Sequence, residues 1–169
     1  MNKKSTGENN YKQLSTYRPM KNNINPALQE LKQFIGNWEM EISNASFLPD
    51  ANAIIKVGAS FEWFEEGEFL ILRQGTKNKE TPWAIWFIGH DKDAQHYTVL
   101  YIDDQQSSRV YEMSFENRIW KMWRNGPQFL QRFTGEISQD KNIISGYWEK
   151  SVDGKNWEHD FHLTYKKAL

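Results

Sequence analysis

From residue 38 to residue 166 the chain runs through segment after segment of strand-like pattern, and no helical stretch long enough for a crossover interrupts it. This feature narrows the folds open to the chain more than any other. A period of two places successive side chains on opposite faces of a strand. Parallel neighbours would need a connection of a dozen or more residues, so short polar loops imply antiparallel pairing. The segments are 38–42, 55–63, 69–74, 83–88, 96–102, 108–115, 117–124, 129–138, 142–150 and 156–166. The expected fold is therefore all-β: an up-and-down antiparallel β-barrel of about ten strands, since closing a meander removes its unpaired edges. An open sandwich is the competing arrangement. Asp153-Gly154 between the last two segments is a strong hairpin signal.

One helix precedes the strands. Asn25-Pro26 is a good opening, with Asn as cap and Pro at the first helical position. Ala27, Leu28, Leu31, Phe34 and Ile35 then recur at three- and four-residue spacing, and Gly36 is the expected stop. Residues 1–23 are rich in Asn, Lys, Ser and Thr and read as a disordered leader, which leaves 24–169 as the barrel domain.

Segment 83–88 is apolar at every position, unlike its neighbours. Such a strand needs cover on both faces. Either the N-terminal helix packs over its outer side or a second copy of the protein does, as a homodimer.

Composition removes several classes of function. The 21 Lys and Arg nearly balance the 22 Asp and Glu, so there is no basic footprint for nucleic acid. With no cysteine, thiolate metal sites, disulfides and Cys nucleophiles are excluded. No secretory signal pattern and no membrane-length apolar run is present, which gives the expectation of a cytoplasmic protein with no membrane partner. Aromatic residues make up 15% of the chain, with 8 Trp, far more than a helical bundle would use. They suit the lining of a barrel cavity.

The candidate binding residues follow from that cavity. Arg73 and Arg109 share alternation with large apolar side chains, and an inward guanidinium could clamp a carboxylate or phosphate in two-point fashion. The competing roles for these arginines are stacking on an aromatic ring or pairing with Glu62 or Glu112. Tyr111 and Met113 share the parity of Arg109, and Trp63, Trp83 and Tyr97 are further candidate lining residues. Of the histidines, His90 and His96 flank a loop, while His159 and His162, three apart on a strand, should face opposite ways. Asp103, Asp104, Tyr111 and His96 could converge at one barrel end, but no catalytic constellation is spelled out in the spacing.

The run Leu31-Lys32-Gln33-Phe34-Ile35-Gly36-Asn37-Trp38 resembles the opening of the calycin barrels, where a short helix runs into a Gly-x-Trp that plugs the closed end. Residues 26–166 also look like a bacterial family of calycin-like barrels with no established activity. The matching segments are Ser43-Asn44-Ala45-Ser46-Phe47-Leu48-Pro49-Asp50, Arg109-Val110-Tyr111-Glu112-Met113-Ser114-Phe115, Gln131-Arg132-Phe133-Thr134-Gly135 and Trp157-Glu158-His159-Asp160-Phe161. The ending His162-Leu163-Thr164-Tyr165-Lys166-Lys167 is similar to the last strand of nitrobindin-like barrels. That likeness implies His162 as a haem ligand. The Gly-x-Trp-x-Gly-x-Gly opening of those proteins is absent, with Glu39, Met40, Glu41 and Ile42 following Trp38 instead. Lipocalin likeness implies a basic residue, Lys166 or Lys167, packed across Trp38.

The resulting expectation is a barrel that binds a small apolar or amphipathic molecule and requires no cofactor. The alternatives are a nitrobindin-like haem protein and a small barrel enzyme of unknown reaction.

Overall fold

The structure, a computed structural model, describes residues 24–48, 50, 52–75, 83–90, 93–127 and 129–168. The expected leader lies outside the described residues. Ten strands follow one another: β1 (Gly36–Ser43), β2 (Ile55–Phe64), β3 (Phe69–Gly75), β4 (Ala84–His90) and β5 (Tyr97–Asp103), then β6 (Ser108–Glu116), β7 (Ile119–Gly126), β8 (Phe129–Ile137), β9 (Ile143–Ser151) and β10 (Glu158–Lys167). Each pairs antiparallel with its sequence neighbours, and β1 closes the barrel against β10. Met40, for instance, stands opposite Val57 on one side and Tyr165 on the other. The sandwich alternative is thereby excluded, because every strand has two partners.

The buried alternation identifies the inner wall. Trp38, Met40 and Ile42 of β1, Leu70 and Leu72 of β3, Trp120 and Met122 of β7, and Leu163 and Tyr165 of β10 are all at most 4% exposed. Their cross-strand partners carry the same inward parity around the ring, as register requires once one face is buried.

The N-terminal helix forms where expected, over Pro26–Gln33, but as a 3-10 helix. Asn25 caps it by accepting a hydrogen bond from Ala27 N at 3.1 Å. Gly36 is not its stop. Phe34 is the last cap residue, and Gly36 opens β1 with φ +131°, a conformation that a side chain would strain.

The helix does not cover the outer side of β4. Leu28, Leu31 and Phe34 are all but fully buried, and the Phe34 ring sits 5.0 Å from Phe115 and Trp120 and 5.3 Å from Phe61, all inward-facing. It is a plug. Trp38 Nε1 donates to Phe34 O at 2.7 Å, and Lys167 Nζ lies 5.1 Å from the Trp38 ring centroid. This is the basic residue across the tryptophan that the opening motif implied. On the outer side of β4, Ile85 and Phe87 are half-buried, while the neighbouring Leu100, Ile102 and Val110 are exposed.

Candidate functional site

Plugging one end leaves the other half of the barrel to enclose a cavity of about 390 Å³. Its walls are mostly aromatic and aliphatic: Trp86, Trp120, Trp148, Met40, Leu72 and Leu163 among them. The mouth lies where β1 ends and β2, β6 and β10 begin, and Phe47 from the β1–β2 loop stands over it with its ring 5.7 Å from Phe161. That loop is pinned down by Ser46 N, which donates to Asp160 O at 2.8 Å.

Three polar groups interrupt the apolar lining. In the first, the Gln74 side chain reaches across the barrel. Its Oε1 accepts from Trp86 Nε1 at 2.8 Å, and its Nε2 donates to Tyr165 OH at 2.8 Å and faces Met40 Sδ at 3.0 Å. In the second, Tyr111 OH donates to Gln131 Oε1 at 2.8 Å, and Gln131 Nε2 donates to Asp160 Oδ2 at 3.1 Å. The other Asp160 oxygen accepts from Ser46 Oγ and lies 3.3 Å from Lys150 Nζ. In the third, Tyr101 OH donates to Asp103 Oδ2 at 2.7 Å. Buried polar groups are costly unless partnered, so these chains hold their members in place.

Burial raises the phenol pKa of Tyr101, Tyr111 and Tyr165 above the ordinary value, and the bond to Asp103 adds to the rise at Tyr101. All three remain protonated near neutral pH and act as hydrogen-bond donors rather than bases. At Asp103, partial burial pushes the pKa up, but bonds from Tyr101, Ser107 and Gln105 outweigh it and the net shift is downward.

Arg109 lines the cavity at the mouth, its guanidinium 5.0 Å from the Phe129 centroid. Among the described residues no carboxylate pairs with it, whereas Asp160 is already taken by Lys150. Arg124, inward on β7, donates to Phe129 O at 3.1 Å, and its guanidinium folds against Gly126, where a Cβ would come within 2.5 Å of it. Arg109 hydrogen-bonds the Tyr111 phenol, and the charges of both arginines act on it, which opposes part of the rise that burial causes.

No protein-family model matches the chain, and no curated protein matches it. Among solved structures it is similar to the crystal structure of Rv2717c from M. tuberculosis, with a TM-score of 0.54 at 10% sequence identity. The match covers 87% of this chain and 100% of that one. At such an identity the likeness is one of fold. A closed ten-stranded antiparallel barrel with this neighbour fits the calycin-like outline.

The expected site residues are distributed unevenly over this architecture. Arg109, Tyr111 and Trp83 line the cavity. Trp63, Tyr97 and Met113 do not. Tyr97 OH instead donates to Ala27 O at 3.1 Å, tying β5 to the helix. Met113 is fully buried opposite Tyr97, and Trp63 pairs with Leu70 near the plugged end.

Arg73 faces outward and pairs with Glu62, both partners being substantially exposed. Its parity misled because β3 is apolar on both faces: Ile71, its outward neighbour, is only 1% exposed.

His162 is also outward and exposed, paired in register with Ser43 and Tyr147. None of the described histidines lines the cavity. The residues present therefore do not fit a haem held through His162 inside the barrel.

His159 and His162 share a face after all, with ring centroids 4.7 Å apart. A β-bulge between His159 and Phe161 supplies one extra residue and reverses the parity. It turns Asp160 into the barrel wall at the mouth and leaves Trp157 outside, beneath Arg132 at 4.1 Å. His96 is held by Glu112 at 3.3 Å, at the opposite end of its strand from Asp103, so the suggested acid–base cluster is not assembled. Among the described residues no group of three or more His, Asp or Glu is placed to hold a metal.

Gln74, Trp86, Gln131, Lys150, Asp160 and Tyr165 were not singled out from sequence. The signal that could have found Gln74 and Gln131 is an amide at an inward position of an otherwise apolar alternation.

Proposed function

We propose that the barrel binds a small amphipathic molecule, with its apolar body in the cavity and a polar or acidic head at the mouth. The observation that carries this reading is an aromatic-walled cavity of about 390 Å³ with a guanidinium at its rim, that of Arg109, which pairs with no carboxylate among the described residues. Sites for small ligands are typically concave and apolar, with a few placed polar groups that set orientation. Unpaired cations beside an apolar chamber favour an anionic head, because a charge-assisted bond there forms without first breaking an ion pair.

Native mass spectrometry on protein purified from cells tests the reading, with a bound lipid-like mass as the expected result. Arg109→Ala should weaken an acidic amphiphile such as decanoate by about tenfold, the worth of one charge-assisted hydrogen bond, and leave decanol almost unchanged. Equal loss for both would show that the head group does not meet Arg109.

A further inference from the structure

The end of the cavity nearest the plug holds two donors that no acceptor among the described residues receives. Trp120 lines the cavity and is 1% exposed, and its Nε1 is the one buried side-chain polar atom among the described residues without a hydrogen-bond partner. An unmade bond at a buried N–H is expensive, and native interiors keep few of them.

Tyr165 supplies the second donor. Gln74 has already committed its amide, Oε1 to Trp86 and Nε2 to Met40 and Tyr165. The Tyr165 oxygen is thus an acceptor toward Gln74, and its own hydrogen cannot point there. No other acceptor takes it among the described residues. The Trp120 and Tyr165 rings are 6.2 Å apart, centroid to centroid, and both border the same chamber.

We propose that the deep end of the cavity receives a neutral hydrogen-bond acceptor of the ligand, a carbonyl-type oxygen, from Trp120 N–H and Tyr165 O–H. The inference rests on the reading that the cavity is a ligand site, and it narrows the buried end of that ligand, opposite the head at the mouth, to a ketone, aldehyde, ester or quinone oxygen. An anionic tip is disfavoured at this depth. The cavity's cations, Arg109 and Lys150, stand at the mouth ends of β6 and β9, and a carboxylate buried away from them would be uncompensated. A donor tip such as an amine would meet two more donors.

The test compares 2-acetylnaphthalene with 2-ethylnaphthalene, matched in shape and differing in the carbonyl, on the wild-type protein, Trp120→Phe and Tyr165→Phe. Affinity is read by calorimetry and the ketone's carbonyl stretch by infrared difference spectroscopy. The ketone should bind about tenfold tighter than the hydrocarbon, as two modest hydrogen bonds would give. Its stretch should fall below the value in hexane. Trp120→Phe should remove most of the preference and return the stretch toward that value while hydrocarbon affinity stays the same, and Tyr165→Phe should do likewise. Equal binding of the two probes with an unshifted stretch overturns the deep acceptor site and leaves the cavity reading standing. A preference that survives both substitutions places the carbonyl elsewhere and overturns it too. If neither probe binds, the ligand reading itself fails, and this inference with it.

Discussion

The two halves of the barrel share the same ten strands and end in opposite conditions. At the plugged half, Phe34 enters from outside the sheet and meets Phe61, Phe115 and Trp120 at ring separations of 5.0 to 5.3 Å, two of the three contacts edge-on. At the mouth half, Gln131, Asp160 and Lys150 take inward positions among Trp148, Tyr111 and Phe161, and space remains. A barrel of ten strands is too wide for its own side chains to fill. Whichever end receives the helix becomes core, and the other becomes chamber. The placement of polar side chains follows that division: the chamber holds the amide and carboxylate chains, and the plugged end meets the helix largely through rings.

The sharpest way to break this contrast is to shrink the plug. Phe34→Ala should cost about 3–5 kcal/mol in urea denaturation, the usual penalty for an aromatic removed from a packed core. A cost under about 1 kcal/mol would mean that the two ends are packed alike.

Next comes the network at the mouth. Asp160→Ala removes the acceptor for Ser46, Gln131 and the half-buried Lys150 ammonium, and should cost roughly 2–3 kcal/mol in the same measurement. The β1–β2 loop should also loosen, seen as faster amide exchange at Ser46.

On the outer wall the expected effect is small. Arg73→Ala loses an exposed pair with Glu62 and should change stability by no more than about 1 kcal/mol, with probe binding in the cavity untouched. Were Arg73→Ala to match Asp160→Ala, the distinction between interior and exterior charge pairs would collapse.

The smallest effect lies in the β9–β10 hairpin. Asp153 accepts from the backbone N–H groups of Asn156 and Lys155 and from the Asn156 side chain, which holds its pKa well below the ordinary carboxylate value. A depressed folded pKa contributes stability that is present above the unfolded value of about 3.9 and is lost as pH falls through the lower folded value. Asp153→Ala should therefore flatten the acid limb of stability against pH and leave its neutral-to-alkaline shape unchanged, as thermal melts across pH would record.

Much of the fold was legible because alternation is written one residue at a time. All ten strands, their succession and the helix before them were there to be read, as was the Asp153-Gly154 turn, where Gly154 takes φ +72°. The helix type was not. Spacings of three and four suit both helix forms, and the eight residues Pro26–Gln33 take the 3-10 form, longer than such helices usually run. The site was half legible. Arg109 and Tyr111 follow from parity alone, but Arg73 shares a strand with apolar residues on both faces, and alternation cannot choose between them.

The last strand shows the limit most clearly. Counting by twos from Trp157 to Tyr165 puts His159 with the apolar set and Asp160 with the polar one. The bulge between His159 and Phe161 exchanges them, and no side chain announces it.

By itself, then, the sequence determined a meander of antiparallel strands behind one apolar-faced helix, because strand geometry and turn chemistry are local. Which face of β3 looks inward, where the Asp160 bulge falls, which end the helix fills and so where a chamber opens were decided only by tertiary structure. Those outcomes depend on closing β1 against β10 and on the volume left inside, and both are properties of the whole ring.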